Sequence, residues 1–254
     1  MLNTTQARIL KKFSDLKFEP VKHQYFLAGQ YLPSVTGLIK RHFPPFNKDQ
    51  MIKTRKGTFS LLALSAMKAS REEGREITTH ELERKWQLIN TNACDLGHKV
   101  HKFLEDYTGI EVPSLPQEVA GIKYLNSLKG KYKISFRELR AYSKKYTYAG
   151  TMDLPLEVIG SSKESFIISD YKTNGDLFKA YDYMYPPFET LEASLFNADQ
   201  LQLSYYQIIL EEAELNIIDR TIIHLKADGE FKTYHLYDFT QELKDYMKHI
   251  AKYN

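Results

Sequence analysis

Residues 150–174 carry two aspartates and a lysine whose spacing suits metal-assisted chemistry. If residues 160–163 form a four-residue turn, the flanking strands pair so that Asp153 lies directly opposite Asp170. Lys172 shares the face of Asp170 because side chains along a strand alternate. Opposed carboxylates repel each other and call for a compensating cation, and hard oxygen ligands favour Mg²⁺ or Mn²⁺.

An ordinary ion pair on a solvated hairpin face is the commoner explanation of an isolated Asp-x-Lys triplet. The residues that precede Asp170 argue against it here. Phe166, Ile167 and Ile168 form a near-continuous apolar run, which is typical of a strand buried on both faces. Charged residues at the end of a buried strand indicate a functional site.

A helix over residues 78–107 offers further candidate ligands. Its apolar residues recur at spacings of four and three and predict one buried stripe, formed by Leu82, Trp86, Ile89, Ala93, Leu96, Val100 and Phe103. Beside the stripe, Gly97, His101 and Glu105 lie at i, i+4 and i+8, so an imidazole and a carboxylate project together. A histidine on such a helix is usually packed or solvated, and the spacing alone assigns it no role.

Glu138 admits two interpretations. A turn at residues 143–146 would pair it with Thr151, on the same strand face as Asp153. Alternatively, it is a strand-face carboxylate that pairs with Arg137 or Arg140. The sequence leaves both open.

The elements that must position these side chains follow from the periodicity of the chain. The pattern predicts a helix–three strands–helix–strand order, αβββαβ, after a hairpin and a helix capped by Ser34. Residues 175–198 are expected to form a partly helical insertion near the site. The predicted ranges are a hairpin at 18–32 that turns near 28–29, helices at 48–72, 116–130 and 199–215, strands at 134–142, 146–159 and 165–172, and a hairpin at 221–237.

Composition limits the class of protein. The 254 residues predict a single α/β domain, with residues 1–75 as an N-terminal hairpin and helical region and residues 76–254 as the core. The net charge of +3 is too small to indicate nucleic-acid binding by itself. A single cysteine, Cys94, excludes an internal disulfide and a four-cysteine metal site. No apolar run suits a membrane span or a signal sequence, so a cytoplasmic protein is expected.

Four motifs in order resemble the PD-(D/E)XK nuclease superfamily. Residues 150–153 match its G-T-x-D strand, and residues 170–173 match its D-x-K-T strand. Residues 97–105 are similar to its G-x-x-x-H-x-x-x-E helix, and residues 202–206 match its Q-x-x-x-Y motif. The chain is most similar to the RecB-like and lambda-exonuclease-like branch, which includes small phage-encoded exonucleases and the mitochondrial genome-maintenance exonuclease. It lacks the cysteines of the iron–sulfur members.

The resemblance implies a restriction-endonuclease-like core, with a central mixed sheet flanked by helices and an N-terminal helical extension. It also implies hydrolysis of phosphodiester bonds by a metal-activated water. Lys172 would orient or deprotonate that water and offset developing charge. One or two Mg²⁺ or Mn²⁺ ions would be held by His101, Asp153, Asp170 and the carbonyl of Tyr171, with Glu105 as a further ligand.

DNA is the partner that the resemblance implies, together with a single-strand annealing or single-strand-binding protein and further copies of the chain. Gln202, Tyr206 and Thr173 are expected to contact DNA. Ser34 and Thr36, at a helix N-terminus, are candidates for a terminal phosphate, although a plain N-cap is the better interpretation of Ser34.

An exonuclease at DNA ends, in recombination, replication or repair, is therefore expected. If the chain is phage-encoded, it would act in the cytoplasm of a bacterial host. A structure-specific or sequence-specific endonuclease and a non-catalytic binding module are the alternatives. Cleavage polarity and strand preference stay open.

Overall fold

The computed structural model describes residues 4–45, 68, 79–180 and 182–251. The chain divides into two compact units, one formed by Met1–Pro44 with Lys99–Asn254 and the other by Pro45–His98. All the strands that the structure describes, and the candidate site, belong to the first unit. The helix predicted at 48–72 lies, apart from residue 68, outside the described residues.

The structure describes six helices and ten strands. In order they are α1 (Thr4–Lys12), β1 (Leu16–Glu19), β2 (Gln24–Leu27), β3 (Gln30–Leu32), α2 (Val35–Lys40), α3 (Thr79–Asp106), α4 (Pro116–Ser127), β4 (Tyr132–Ile134), β5 (Leu139–Ser143), β6 (Tyr148–Met152), β7 (Leu154–Val158), β8 (Ser165–Lys172), α5 (Leu195–Glu212), β9 (Asn216–Leu225), β10 (Phe231–His235) and α6 (Thr240–Ile250). No helix among them has the length and apolar character needed to cross a bilayer.

The main sheet is mixed and has the strand order β10-β9-β8-β7-β4. Its central strand, β8, runs parallel to β9 and antiparallel to β7. Seven of the eight β8 residues are buried, which confirms the prediction made from the apolar run at 166–168. Helix α5 lies against β8 and β9, and α4 lies against β9 and β10. The fold is therefore α/β, with a mixed sheet flanked by helices.

The register between β7 and β8 is the predicted one. Leu154 pairs with Ser169 and Glu157 with Phe166, as the four-residue turn requires. The continuous strand predicted at 146–159 is wrong, because it breaks at Asp153 into β6 and β7.

The register between β5 and β6 differs from the prediction by two residues. Arg140, rather than Glu138, pairs with Thr151. The turn comprises residues 144–147 instead of 143–146, and this shift moves Glu138 opposite Asp153, whose carbonyl accepts from the Glu138 amide at 3.1 Å. The strand predicted at 134–142 is in fact two strands, β4 in the main sheet and β5 in a two-stranded sheet with β6.

The N-terminal region forms a three-stranded sheet, β1-β2-β3, and a short helix. The predicted turn is confirmed at Ala28 and Gly29, which have φ angles of 49° and 81°. Ser34 caps α2 as predicted, since its hydroxyl accepts from the Gly37 amide at 3.0 Å. A bridge from Ser34 to Ala149 joins this region to β6.

Helix α3 has nearly the predicted bounds, but its predicted buried stripe is wrong in the middle. Leu82 and Val100 are buried, whereas Ile89 is 54% exposed and Ala93 is also exposed. An apolar stripe makes one face of a helix suitable for burial, but it does not show that another part of the protein packs against that face. Near the end of α3, Leu104 is buried against Gly121 of α4, where a methyl group would come within 2.5 Å of its side chain.

The segment before α5 also differs from its prediction. Its described residues form turns and one bridge, Tyr183 to Glu192, with no helix before Leu195. Helix α5 begins four residues before the predicted start because Ser194 caps it, accepting from the Asn197 amide at 3.2 Å. Helices α1 and α6 were not predicted.

Candidate functional site

Three side chains from distant parts of the chain converge at one point. His101, Glu138 and Asp153 each offer a ligand atom, and these atoms lie within 4.8 Å of one another. His101 projects from the end of α3, Glu138 precedes β5, and Asp153 occupies the break between β6 and β7. We call these three residues the carboxylate–histidine group.

The backbone of β8 holds this group in place. His101 Nδ1 lies 3.2 Å from Asp153 Oδ2, and His101 Nε2 lies 2.9 Å from the carbonyl oxygen of Tyr171. The Tyr171 amide donates to Asp153 Oδ2 at 3.0 Å. The Tyr171 carbonyl therefore borders the group, where the predicted ligand set requires it.

Glu138 is fixed by its backbone and by its neighbour Arg137. Its φ of 60° is unusual for a residue with a side chain, and such conformations concentrate at functional sites. Arg137 donates to three carbonyls at the end of α3, those of Leu104, Glu105 and Tyr107. This contact ties the Glu138 segment to the helix that carries His101.

Neither arginine proposed as a partner of Glu138 takes that role. Arg137 is occupied by the helix carbonyls, and the Arg140 guanidinium lies 4.5 Å from the ring centroid of Phe18. The prediction of a simple ion pair for Glu138 is therefore wrong. Its contact with Asp153 replaces the predicted pairing with Thr151.

The charges in the carboxylate–histidine group perturb one another strongly. Burial, followed by the repulsion of Asp153, raises the pKa of Glu138 to about 7. Burial alone would lower the pKa of His101, but the charge and hydrogen bond of Asp153 raise it to about 9. Burial would raise the pKa of Asp153, yet the His101 charge holds it below its ordinary value. Above about pH 7, where Glu138 is ionised, the group sets two carboxylates against one imidazolium, and this net negative charge attracts a cation.

A second group surrounds Lys172 at the end of β8. Its Nζ lies 2.7 Å from Asp170 Oδ2 and 3.1 Å from Asp199 Oδ1. Gln202 donates to the other Asp170 oxygen at 3.3 Å. We call Asp170, Lys172 and Asp199 the lysine group. Burial would lower the pKa of Lys172, but the two carboxylates raise it well above its ordinary value.

Asp199 is a residue of the candidate site that the sequence did not predict. It lies on α5, one helical turn before Gln202 and two before Tyr206, so the three share a helix face. That spacing was the available signal. It is weak, because an aspartate near a helix N-terminus is commonly explained by the helix dipole.

Gln202 and Tyr206 lie inside the site. Tyr206 is 3% exposed, and its hydroxyl lies 3.4 Å from the Gln202 amide nitrogen. A methyl group at Gly150 would come within 2.5 Å of the Tyr206 ring, which explains the glycine of the G-T-x-D segment. The threonine of that segment, Thr151, bonds to the Tyr25 hydroxyl at 2.8 Å. A DNA contact of Gln202 and Tyr206 stays a prediction.

The other predicted site residues lie further from these contacts. Glu105 lines a recess with His101, Glu138 and Asp153, but its carboxylate pairs with Lys102 at 3.0 Å. Thr173 is half-buried directly after Lys172, and Thr36 is exposed. Ser34 is engaged as the N-cap of α2. The roles of these residues in DNA binding stay predictions.

The donor set fits a hard divalent cation. Carboxylate oxygens and an imidazole nitrogen converge, and burial has brought their like charges together without an equal number of basic groups. Burial and the charge of Asp153 also raise the pKa of Asp170. A cation at this position would relieve the repulsion among Glu138, Asp153 and Asp170. The structure groups Glu138, instead of Asp170, most closely with His101 and Asp153.

Comparison of the chain with models of known protein families and with curated proteins finds no match.

Proposed function

We propose that this protein is a metal-dependent DNA nuclease with a PD-(D/E)XK core. One observation carries the proposal. His101 and Asp153, which converge with Glu138, both contact the backbone of β8 at Tyr171, the residue between Asp170 and Lys172. A candidate cation site thus lies beside the strand residues that carry a fixed ammonium, an arrangement suited to phosphodiester hydrolysis.

Some of these residues would bind a cation, and Lys172 would stabilise the negative charge that develops on the phosphate. His101, Glu138 and Asp153, together with Asp170, would hold Mg²⁺ or Mn²⁺, which when bound supplies Lewis acidity to the phosphate and acidifies a water. Lys172, held by two carboxylates, offsets the negative charge that develops on the phosphate and orients the attacking water. Gln202 donates to Asp170 and fixes the direction of that carboxylate.

DNA as substrate and attack at a strand end are supported by the four sequence motifs between residues 97 and 206. An exonuclease for end processing is the function that these motifs favour. Association with a single-strand annealing or single-strand-binding protein, and with further copies of the chain, belongs to the same proposal.

The test is digestion of one linear duplex, labelled separately at each 5′ and 3′ end, in Mg²⁺. A closed circular duplex of the same sequence is the parallel substrate. Asp153→Asn serves as the inactive variant. Glu157→Gln is the matched control, because Glu157 lies on the neighbouring strand and pairs with Lys133 at 3.5 Å, outside the site.

An exonuclease shortens the linear duplex from one end, spares the circle, and loses this activity in Asp153→Asn but not in Glu157→Gln. Cutting of the circle would instead indicate an endonuclease on the same core. Absence of cleavage of either substrate in both Mg²⁺ and Mn²⁺ would overturn the proposal. Cleavage retained in Asp153→Asn would show that the wrong site had been chosen.

A further inference from the structure

Asp199 is a buried acid whose charge is directed at Lys172. It is 5% exposed, and its Oδ1 lies 3.1 Å from the lysine nitrogen. Its other oxygen, Oδ2, is buried without a hydrogen-bond partner among the residues that the structure describes. Burial raises the pKa of Asp199 to about 7 despite the attraction of Lys172.

Stability alone does not explain an acid at this position. A buried ion pair contributes little net stability compared with an apolar pair of similar volume, and a buried oxygen without a partner is unfavourable. Helix α5 is buried along most of its length, and many of its buried residues are apolar, among them Leu201, Leu203 and Ile208. An aspartate here is therefore better explained by what it does to Lys172.

The two carboxylates that hold Lys172 differ in their other contacts. Asp170 also receives a hydrogen bond from Gln202 and feels the charge of Asp153 in the cation site. Asp199 lies on α5, which packs against β8, and among the described residues its Oδ1 contacts only the lysine. A cation bound by Asp170 would compete with Lys172 for that carboxylate, whereas Asp199 would keep its contact.

We propose that Asp199 is a positioning residue, which holds the Lys172 nitrogen in place while Asp170 serves the cation site. This inference rests on the proposed nuclease function for its purpose. The contact between Asp199 and Lys172 itself can be tested without any activity.

The first experiment measures the chemical reactivity of Lys172 in metal-free protein. Acetic anhydride is applied at limiting concentration, and acetylation of each lysine is followed by peptide mass spectrometry. In Asp199→Asn, Lys172 should react roughly tenfold faster than in the wild-type protein, because a hydrogen bond between charged groups has been removed. Thermal melting verifies that the variant is folded.

Glu211→Gln is the matched control on the same helix. Glu211 Oε2 lies 2.8 Å from Lys244 Nζ, away from the site. This variant should leave the acetylation of Lys172 unchanged. If Asp199→Asn melts below the assay temperature, Asp199→Ser repeats the test, since it removes the charge and leaves room for water beside Lys172.

The second experiment separates rate from binding. DNA affinity is measured in Ca²⁺, and the single-turnover cleavage rate is measured in Mg²⁺ at saturating enzyme. Asp199→Asn should lower the rate roughly 10- to 100-fold, the usual effect of losing a partner that orients an active-site group, with affinity changed by less than about twofold. Asp199→Glu, which keeps the carboxylate, should recover part of the rate.

The outcomes are distinct. Unchanged acetylation of Lys172 in Asp199→Asn overturns the contact, whether or not the protein cleaves DNA. Faster acetylation with an unchanged cleavage rate, or a rate loss matched by an equal loss of affinity, overturns the positioning role. If the wild-type protein cleaves nothing, the proposed nuclease function fails and the purpose assigned to Asp199 fails with it, while the acetylation result still decides the contact.

Discussion

The two charged groups beside β8 balance their charge in different ways. In the carboxylate–histidine group, Glu138 and Asp153 face each other, and burial raises the pKa of Glu138 to about 7. In the lysine group, the chain supplies its own cation, and Lys172 contacts two carboxylates. Each group sets two carboxylates around one basic side chain, but His101 can exchange its proton for an external ion, whereas Lys172 keeps its charge. Substitutions in the two groups should therefore have opposite effects on the metal-free protein and different effects on catalysis.

The largest expected effect separates metal binding from chemistry. Asp153→Asn should abolish Mn²⁺ binding in titration calorimetry, because it removes a ligand and the charge that attracts the ion. Lys172→Met should retain Mn²⁺ and DNA binding but lower the single-turnover rate roughly 10²- to 10³-fold, since its interaction is made mainly in the transition state. Weakened DNA affinity at an unchanged saturated rate in Lys172→Met would show that the lysine is only a phosphate contact.

A somewhat smaller effect is expected at His101. His101→Ala should lower cleavage in Mg²⁺ roughly 10²-fold and recover part of it in Mn²⁺, which tolerates altered ligand sets better. His98→Ala is the control, because His98 lies three residues earlier on α3 and is exposed. A greater loss in His98→Ala than in His101→Ala would mean that the helix presents a different histidine to the metal.

Without metal, substitutions in the two groups should change the free energy of unfolding in opposite directions. Lys172→Met should destabilise the protein by about 3 kcal/mol, because it leaves Asp170 and Asp199 buried without their cation. Glu138→Gln should stabilise it by about 1 kcal/mol at pH 8, where the wild-type carboxylate is ionised against Asp153. Urea unfolding in EDTA measures both. If Glu138→Gln is destabilised, the charge of Glu138 is compensated within the protein, as the charges of the lysine group are.

The smallest effect concerns pH. The raised pKa of Glu138 means that its contribution to stability is present below its ordinary value of 4.5 and is lost as the pH rises through about 7. His101 acts in the same direction, with stabilisation present below 6.5 and lost towards pH 9. The melting temperature in EDTA should therefore fall by a few degrees between pH 6 and pH 9.

The variant His101→Gln should flatten the upper part of this pH profile, and saturating Mg²⁺ should reduce its slope. A melting temperature that rises with pH over this interval would contradict the charge balance assigned to the carboxylate–histidine group.

Local pattern was enough to predict the centre of this fold. The β7–β8 register followed from one turn length, and the burial of β8 followed from the apolar residues before Asp170. Glu138 could not be placed, because its register depends on the position of a four-residue turn, which lies at 144–147 instead of the predicted 143–146. The grouping of Asp199 with Lys172 depends on how α5 packs against the sheet, which no local periodicity encodes.

The backbone contacts of Tyr171 couple the two charged groups during local unfolding. Its amide and carbonyl contact Asp153 and His101, while its sequence neighbours belong to the lysine group. Sliding β8 by a single residue, about 3.3 Å, would break all of these contacts at once. The region should thus exchange amide hydrogens as one cooperative unit, with deuterium entering Tyr171 only when the central sheet itself unfolds.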